Sequence, residues 1–257
     1  MPGTFNLSVA ALDILGSQLG LNLRQFPLKI PALAKSMEET RSIGNAVWRD
    51  LYQHGLARNG RLDPDVEAAL VALARPQVAV SLMFAAAAGQ SVTLARAGGT
   101  PRLAVLATQR GDVVLCRLGH LSDLVSMLMS LVPDAPPLPH FRQLSVSREA
   151  PQARSRDDDE AGFGGSIMER GVPSNPAGRD KEAARRVLCL PRQRAGTLEV
   201  IGDKQATVNV GWVDTRDGRY LTYTQRQSDG AIWDVYRAAD NRQLGGHIAA
   251  TIASVTR

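Results

Sequence analysis

Residues Val208 to Arg237 read VNVGWVDTRDGRYLTYTQRQSDGAIWDVYR. Val208, Val210 and Trp212 alternate with Asn209, Gly211 and Val213, the two-residue period of a strand. Asp217-Gly218 supplies a turn, because Gly accepts positive φ and Asp tolerates it. Arg219 to Gln225 resumes as a strand, Asp229-Gly230 turns again, and Ile232 to Arg237 makes a third. Two tight DG turns in succession predict an antiparallel meander rather than a βαβ unit. Leu244, Ile248, Ile252 and Val255 then fall at helical spacing, which predicts a helix over 241–255.

Working outward, the same order of elements occurs twice. In the second half, a helix at 180–188 and a strand at 197–202 precede the three strands above, with Thr207 to Asp214 as the first of them. In the first half, Asp63-Pro64 places an N-cap and a helix-starting proline before a helix ending near Ala74. Four strands follow, at 78–87, 91–97, 102–108 and 113–118, and a helix at 121–131. The turns between them fall at Gly89-Gln90, Gly98-Gly99 and Arg110-Gly111-Asp112. Helix, four-strand meander, helix therefore repeats without repeating sequence. The fold class expected is α+β and pseudo-twofold, with strands of both halves in one sheet or in two abutting sheets.

The remaining segments fit around these halves. Phe5 to Val9 reads as an opening strand, followed by a short helix over 10–19. Leu21 to Pro31 is extended and marked by prolines (FPLKIP). Ser36 with Glu39 forms a capping box for a helix running to about Tyr52, closed at His54-Gly55-Leu56. Between the halves, Pro133, Pro136, Pro137 and Pro139 break regular structure, with a short helix expected near 139–146. From 151 to 176 the chain is charged (RSRDDDE) and then rich in Gly, Pro, Ser and Asn, so disorder is expected there. The organisation expected is a single domain of two halves, about 1–132 and 178–257, joined by this segment.

Composition narrows the function classes. The 257 residues are 44% hydrophobic and 21% charged, as in ordinary soluble globular proteins. The net charge is +5 and the pI about 9.6. The arginines are scattered, with no basic helix and no aromatic-interleaved basic strand, so the charge is read as a solvated surface rather than a nucleic-acid interface. The two cysteines, Cys116 and Cys189, sit in apolar surroundings and are expected as buried free thiols. The N-terminus shows no basic region ahead of an apolar core, and the longest nearly apolar run, 78–88, is too short to span a bilayer. Neither a signal peptide nor membrane insertion is expected, and a cytoplasmic location is.

No chemistry-bearing motif stands out. The histidines at 54, 120, 140 and 247 are far apart, and Cys116 and His120 straddle a strand end, so no set of convergent metal ligands emerges. Asp157, Asp158, Asp159 and Glu160 lack the spacing of a calcium loop. Asp214 and Asp217 flank a hairpin, where turn chemistry explains them better than acid–base work. Gly162 to Gly165 lacks the Lys-Ser/Thr ending of a phosphate loop. No nucleophile elbow is present. No catalytic residue, metal or cofactor is assigned. Trp212, Tyr220 and Trp233 are instead of interest as aromatic strand residues, which pack in cores or mark partner-binding faces.

The block Gly211-Trp212, Asp214, Gly218-Arg219-Tyr220-Leu221, followed by the Asp229-Gly230 and Trp233 strand and a C-terminal helix, resembles the EspG family of type VII (ESX) secretion-associated proteins. The FPLKIP stretch resembles that family's early leucine- and proline-marked segment. Glu39, Arg41, Leu51, Gly55 and Leu56 match its first long helix, and the quasi-twofold order of elements is the family's too. The resemblance implies a cytosolic, substrate-specific chaperone of a type VII secretion system. Its partner would be a PPE-type secreted helical protein, or a PPE-like or WXG100-like one, held at an apolar helical tip. Neither nucleic acid nor a cofactor is implied, and self-association into a homodimer is compatible with this reading. An exposed sheet face, the turn at Gly89, Gln90 and Ser91, and the C-terminal helix with Leu244 and Ile248 are expected as the contact surface, together with Arg219 and Trp233. A basic nucleic-acid-binding protein is the alternative, and after it an enzyme without a recognisable motif.

Overall fold

The computed structural model describes residues 3–33, 36–86, 92–148, 176–202, 207–228 and 230–256. Its opening strand β1 (Thr4–Ser8) leads into α1 (Val9–Leu19), which starts where the Ser8 side chain accepts a hydrogen bond from the Ala11 amide. Helix α2 (Met37–Gln53) is capped in the same way by Ser36 on the Glu39 amide, at 3.1 Å. A two-residue hairpin pair, β2 (Ala57–Arg58) and β3 (Arg61–Leu62), precedes α3 (Pro64–Ala74), with Asp63 as N-cap and Pro64 first. The meander β4 (Val78–Ala86), β5 (Thr93–Gly99), β6 (Ala104–Arg110) and β7 (Val113–Gly119) follows. A single 3-10 turn, Leu121–Asp123, then runs into α4 (Leu124–Met129).

The second half opens with β8 (Leu144–Ser147), α5 (Pro176–Leu188) and β9 (Arg192–Ile201). The quoted stretch and its upstream residue supply β10 (Thr207–Thr215), β11 (Arg219–Arg226) and β12 (Ile232–Ala238). Helix α6 (Asn241–Val255) ends the chain, opened by a capping box between Asp240 and Gln243. The short helix expected near 139–146 is not formed. Leu144 to Ser147 pairs with β12 as an edge strand instead, because Leu144 lands opposite Tyr236 and is buried there. The segment expected to be disordered, 151–176, lies outside the described residues apart from Pro176, which opens α5.

All ten longer strands join one sheet in the order β1-β7-β6-β5-β4-β9-β10-β11-β12-β8. Each half is the same device. Its first strand (β1 or β8) pairs with the last strand of its own meander (β7 or β12). The first meander strands, β4 and β9, pair antiparallel at the midline, with Val80 opposite Val200 and Leu82 opposite Leu198. Of the two arrangements left open by the sequence, one continuous sheet is the one realised.

Strand alternation sorts side chains onto two faces. On one face, α1 to α3 cover Phe5, Leu7, Val105, Ala107, Val114 and Cys116 at one end, and α5 covers Val213, Tyr220 and Tyr236 at the other. On the opposite face, α4 and α6 cover the middle: Val78, Val80, Leu82, Leu198, Val200, Val210, Trp212 and Leu221 form one cluster with Leu124, Leu128, Leu244 and Ile248. This cluster crosses the midline and takes residues from both halves. Cys116 is buried as expected, whereas Cys189 is exposed, because it follows the last turn of α5 rather than pointing beneath it. No helix among the described residues is long and apolar enough to cross a membrane.

Candidate partner-binding surface

The α4–α6 layer leaves part of its sheet face bare, towards the β4–β5 and β6–β7 turns. Register builds this bare region. Phe84 lies opposite Thr93, Thr108 opposite Leu115, and Arg110 opposite Val113. Val92, Val113 and Leu115 are 48%, 46% and 40% exposed, three aliphatic side chains left in water at one end of the sheet. Beside them a groove of about 840 Å³ runs around the sheet end. Phe84, Val92, Leu94, Leu131, Lys29 and Arg110 are among its lining residues, and the described lining includes no carboxylate. The face is therefore apolar with a basic margin. Phe84 is held from below by the Trp212 ring, at 5.6 Å between centroids. Gln109 fixes the far wall, accepting from the Lys29 amide at 2.6 Å and donating to the Lys29 carbonyl.

The residues expected at the contact surface fall into three groups. Gly89, Gln90 and Ser91 lie outside the described residues, in the connection between Ala86 and Val92, of which Val92 lines the groove. Leu244 and Ile248 are fully buried in the cluster under α6, which corrects their placement on the surface. They form the inward stripe of an amphipathic helix, while Arg242, Gly246, Ala249, Ala250 and Ala253 form its exposed side. Arg219 is also fully buried, and so cannot reach a surface partner. Its Nε and Nη2 hold both oxygens of the Asp214 carboxylate at 2.6 and 3.0 Å, and its guanidinium lies 4.6 Å from the Trp212 ring centre. Trp233 alone of the described candidates keeps partial exposure, with a buried indole N–H that has no hydrogen-bond partner among the described residues.

Sequence reasoning missed Val92, Val113 and Leu115. Val113 and Leu115 carried a signal: two aliphatic residues two apart on a strand whose alternate residues, Val114 and Cys116, are also apolar. A strand apolar on both faces needs cover on both, and here only one face is covered by the described chain.

Burial pushes the Cys116 thiol up to about 12, which keeps it neutral. The His247 pKa is lowered by burial and by nearby Arg237, and its ring packs on Tyr223, tilted by 40° with centroids 4.3 Å apart. Among the described residues, no group of three or more His, Cys, Asp and Glu is placed to hold a metal ion.

Comparison with known proteins agrees with this architecture. No curated protein sequence matches the chain. A solved structure, the Mycobacterium tuberculosis type VII secretion system chaperone EspG5 in complex with the PE25-PPE41 dimer, contains a chain that superposes with a TM-score of 0.59. The match covers 94% of each chain at 16% identity, a likeness of fold. The model of the EspG family matches residues 8–250, from the end of β1 to the middle of α6. With the match running over nearly all of the sequence, this chain belongs to the EspG family.

Proposed function

We propose that this protein is a cytoplasmic chaperone of a type VII secretion system, and that it caps the apolar helical tip of a PPE-type substrate at the bare end of its sheet. The family match over residues 8–250 carries this reading. The surface chemistry agrees with it. An apolar helical tip aggregates when left in water, and a patch built from Val113 and Leu115, beside a groove that Val92 lines, can cover it. The basic margin at Lys29 and Arg110 favours a partner with acidic residues flanking that tip. Trp233, towards the opposite end of the strands on the far half of the sheet, and the exposed side of α6 remain proposed contacts set apart from this patch. Gly89, Gln90 and Ser91 remain proposed contacts because their connection joins the two strands that border the groove. The protein acts by binding, and no catalytic step is required of it.

The test is calorimetric titration with a PE–PPE heterodimer from the same organism. The wild-type chain is expected to bind. The double substitution Val113→Asp and Leu115→Asp should weaken binding by roughly tenfold or more, about 1.4 kcal/mol. Both side chains point into water, so the thermal midpoint should hold. Unaltered affinity in the double variant would remove the sheet end from the interface. Failure of the wild-type chain to bind any PE–PPE pair of that organism would sink the chaperone reading.

A further inference from the structure

The block Trp212, Asp214, Gly218, Arg219 lies off the proposed contact surface, yet it is tied together more densely than its surroundings. Asp214 and Arg219 are 1% and 0% exposed at the side chain. Besides its two bonds to Asp214, the Arg219 guanidinium donates to the Pro133 carbonyl at 2.8 Å and to the Asn241 side-chain oxygen. Asn241, the first residue of α6, in turn donates from Nδ2 to the Val132 carbonyl at 3.1 Å and to the Asp134 carboxylate at 2.8 Å. The backbone closes the same junction. The Arg219 amide donates to the Pro136 carbonyl at 2.7 Å, and the Leu138 and Ala239 amides donate to the Arg219 carbonyl at 2.9 and 3.2 Å. Arg194 adds a second cation on Asp214, at 2.9 Å.

These bonds converge from distant places. Residues 132–138 are the exit from the first half, Asp214 and Arg219 close the β10–β11 hairpin, and Asn241 starts α6. Prolines at 133, 136 and 137 leave this exit few amides of its own to bond with. A guanidinium, with five donors in a fixed plane, can serve several acceptors at once, which an ammonium cannot do in that geometry.

The helices above the junction show what it holds. Helix α4 ends just before residue 132, and α6 starts at Asn241, so the junction sits where the end of one meets the start of the other. There α4 packs its side chains on α6: a Cβ on Gly245 would lie 3.3 Å from Met129 Cγ. At the opposite ends of the two helices an apolar groove of about 250 Å³ opens between Leu121, Leu124 and Val125 and Ala249, Ile252 and Thr256.

We infer that Asp214, Arg219 and Asn241 form a latch that pins segment 132–138 to the start of α6 and holds α4 and α6 as one layer, fastened at one end and open at the other. Arg219 is on this account a positioning residue.

Amide hydrogen exchange read by NMR tests the latch. Asn241→Ala keeps the Asp214–Arg219 pair and removes the bonds to 132 and 134. Gly218→Ala leaves every latch side chain in place, but its Cβ would lie 2.7 Å from the Pro137 carbonyl, at a φ of +147° that suits glycine. In both variants, exchange at the amides of Leu138, Ala239 and Leu244 should rise by about tenfold or more, while Val80 and Val200 at the midline stay protected. Arg219→Lys, which retains the charge, should behave like Asn241→Ala and shift the Trp212 indole resonance. Unchanged exchange at Leu138 and Ala239 in Asn241→Ala and Gly218→Ala would overturn the latch, as would a uniform rise across the sheet. Full protection in Arg219→Lys would overturn the requirement for the planar fork.

Discussion

Arg219 shows how far residue identity alone can mislead. Arginine is usually exposed and is enriched at interfaces, so a strand arginine beside a turn reads as a surface contact. Asp214, five residues earlier and across the hairpin, makes it a core residue instead. Hairpin register places the two directly opposite each other, and this pairing was implicit in the DG turn. His247 carries a prediction at the same scale. Burial and Arg237 hold its imidazole below the usual value of 6.5, so the folded state resists protonation more than the unfolded chain does. Its contribution to stability is therefore fully present above the unfolded pKa and is lost as pH falls from there through the depressed folded value. Thermal midpoints measured from pH 8 down to pH 5 should fall less steeply in His247→Gln than in the wild type. Parallel curves would remove His247 from the acid response.

At the scale of the element, the extent of α6 was legible from its periodicity alone. Asp240 and Gln243 form the box, and Leu244, Ile248 and Val255 are buried in the helix's inward stripe. The orientation of that stripe was the part misread: apolar helix residues were assigned to a partner when the sheet already occupied them. Ile248→Ala should cost about 2–5 kcal/mol in unfolding free energy measured by denaturant titration, as removal of a large aliphatic side chain from a packed core does. A cost below about 1 kcal/mol would mean that the helix lies loosely on the sheet. Gly196 shows the opposite dependence of a strand on its neighbour. A Cβ there would meet Trp212 at 2.5 Å, so the indole has room to lie flat across β9 only because residue 196 has no side chain.

Across the whole molecule, the two halves meet through β4 and β9, and the cluster beneath α4 and α6 draws from both. A boundary buried in this way should not yield independently. The tryptophans offer a direct check, since Trp48 lies in the first half and Trp212 and Trp233 in the second. Fluorescence of a Trp48→Phe variant and of a variant retaining only Trp48 should report coincident denaturant transitions, matching far-UV circular dichroism. Two separated transitions would mean that the halves are separate folding units.

The sequence by itself determined the elements. Turn residues, caps and periodicity are local chemistry, and they fixed the two meanders, the helices beside them and the repeated order of the halves. It also carried the family resemblance, in a block whose residues prove to be a buried junction. Only the tertiary structure decided that the halves share one sheet, that 144–147 is an edge strand, and which apolar faces are already covered. Each of these depends on what lies opposite a residue in space. Strand pairing at the midline joins Leu82 to Leu198 across more than a hundred residues, and no periodicity in either strand records its partner. For the same reason the bare sheet end at Val113 and Leu115 is a property of the folded molecule: on their face of the sheet α4 and α6 leave them uncovered.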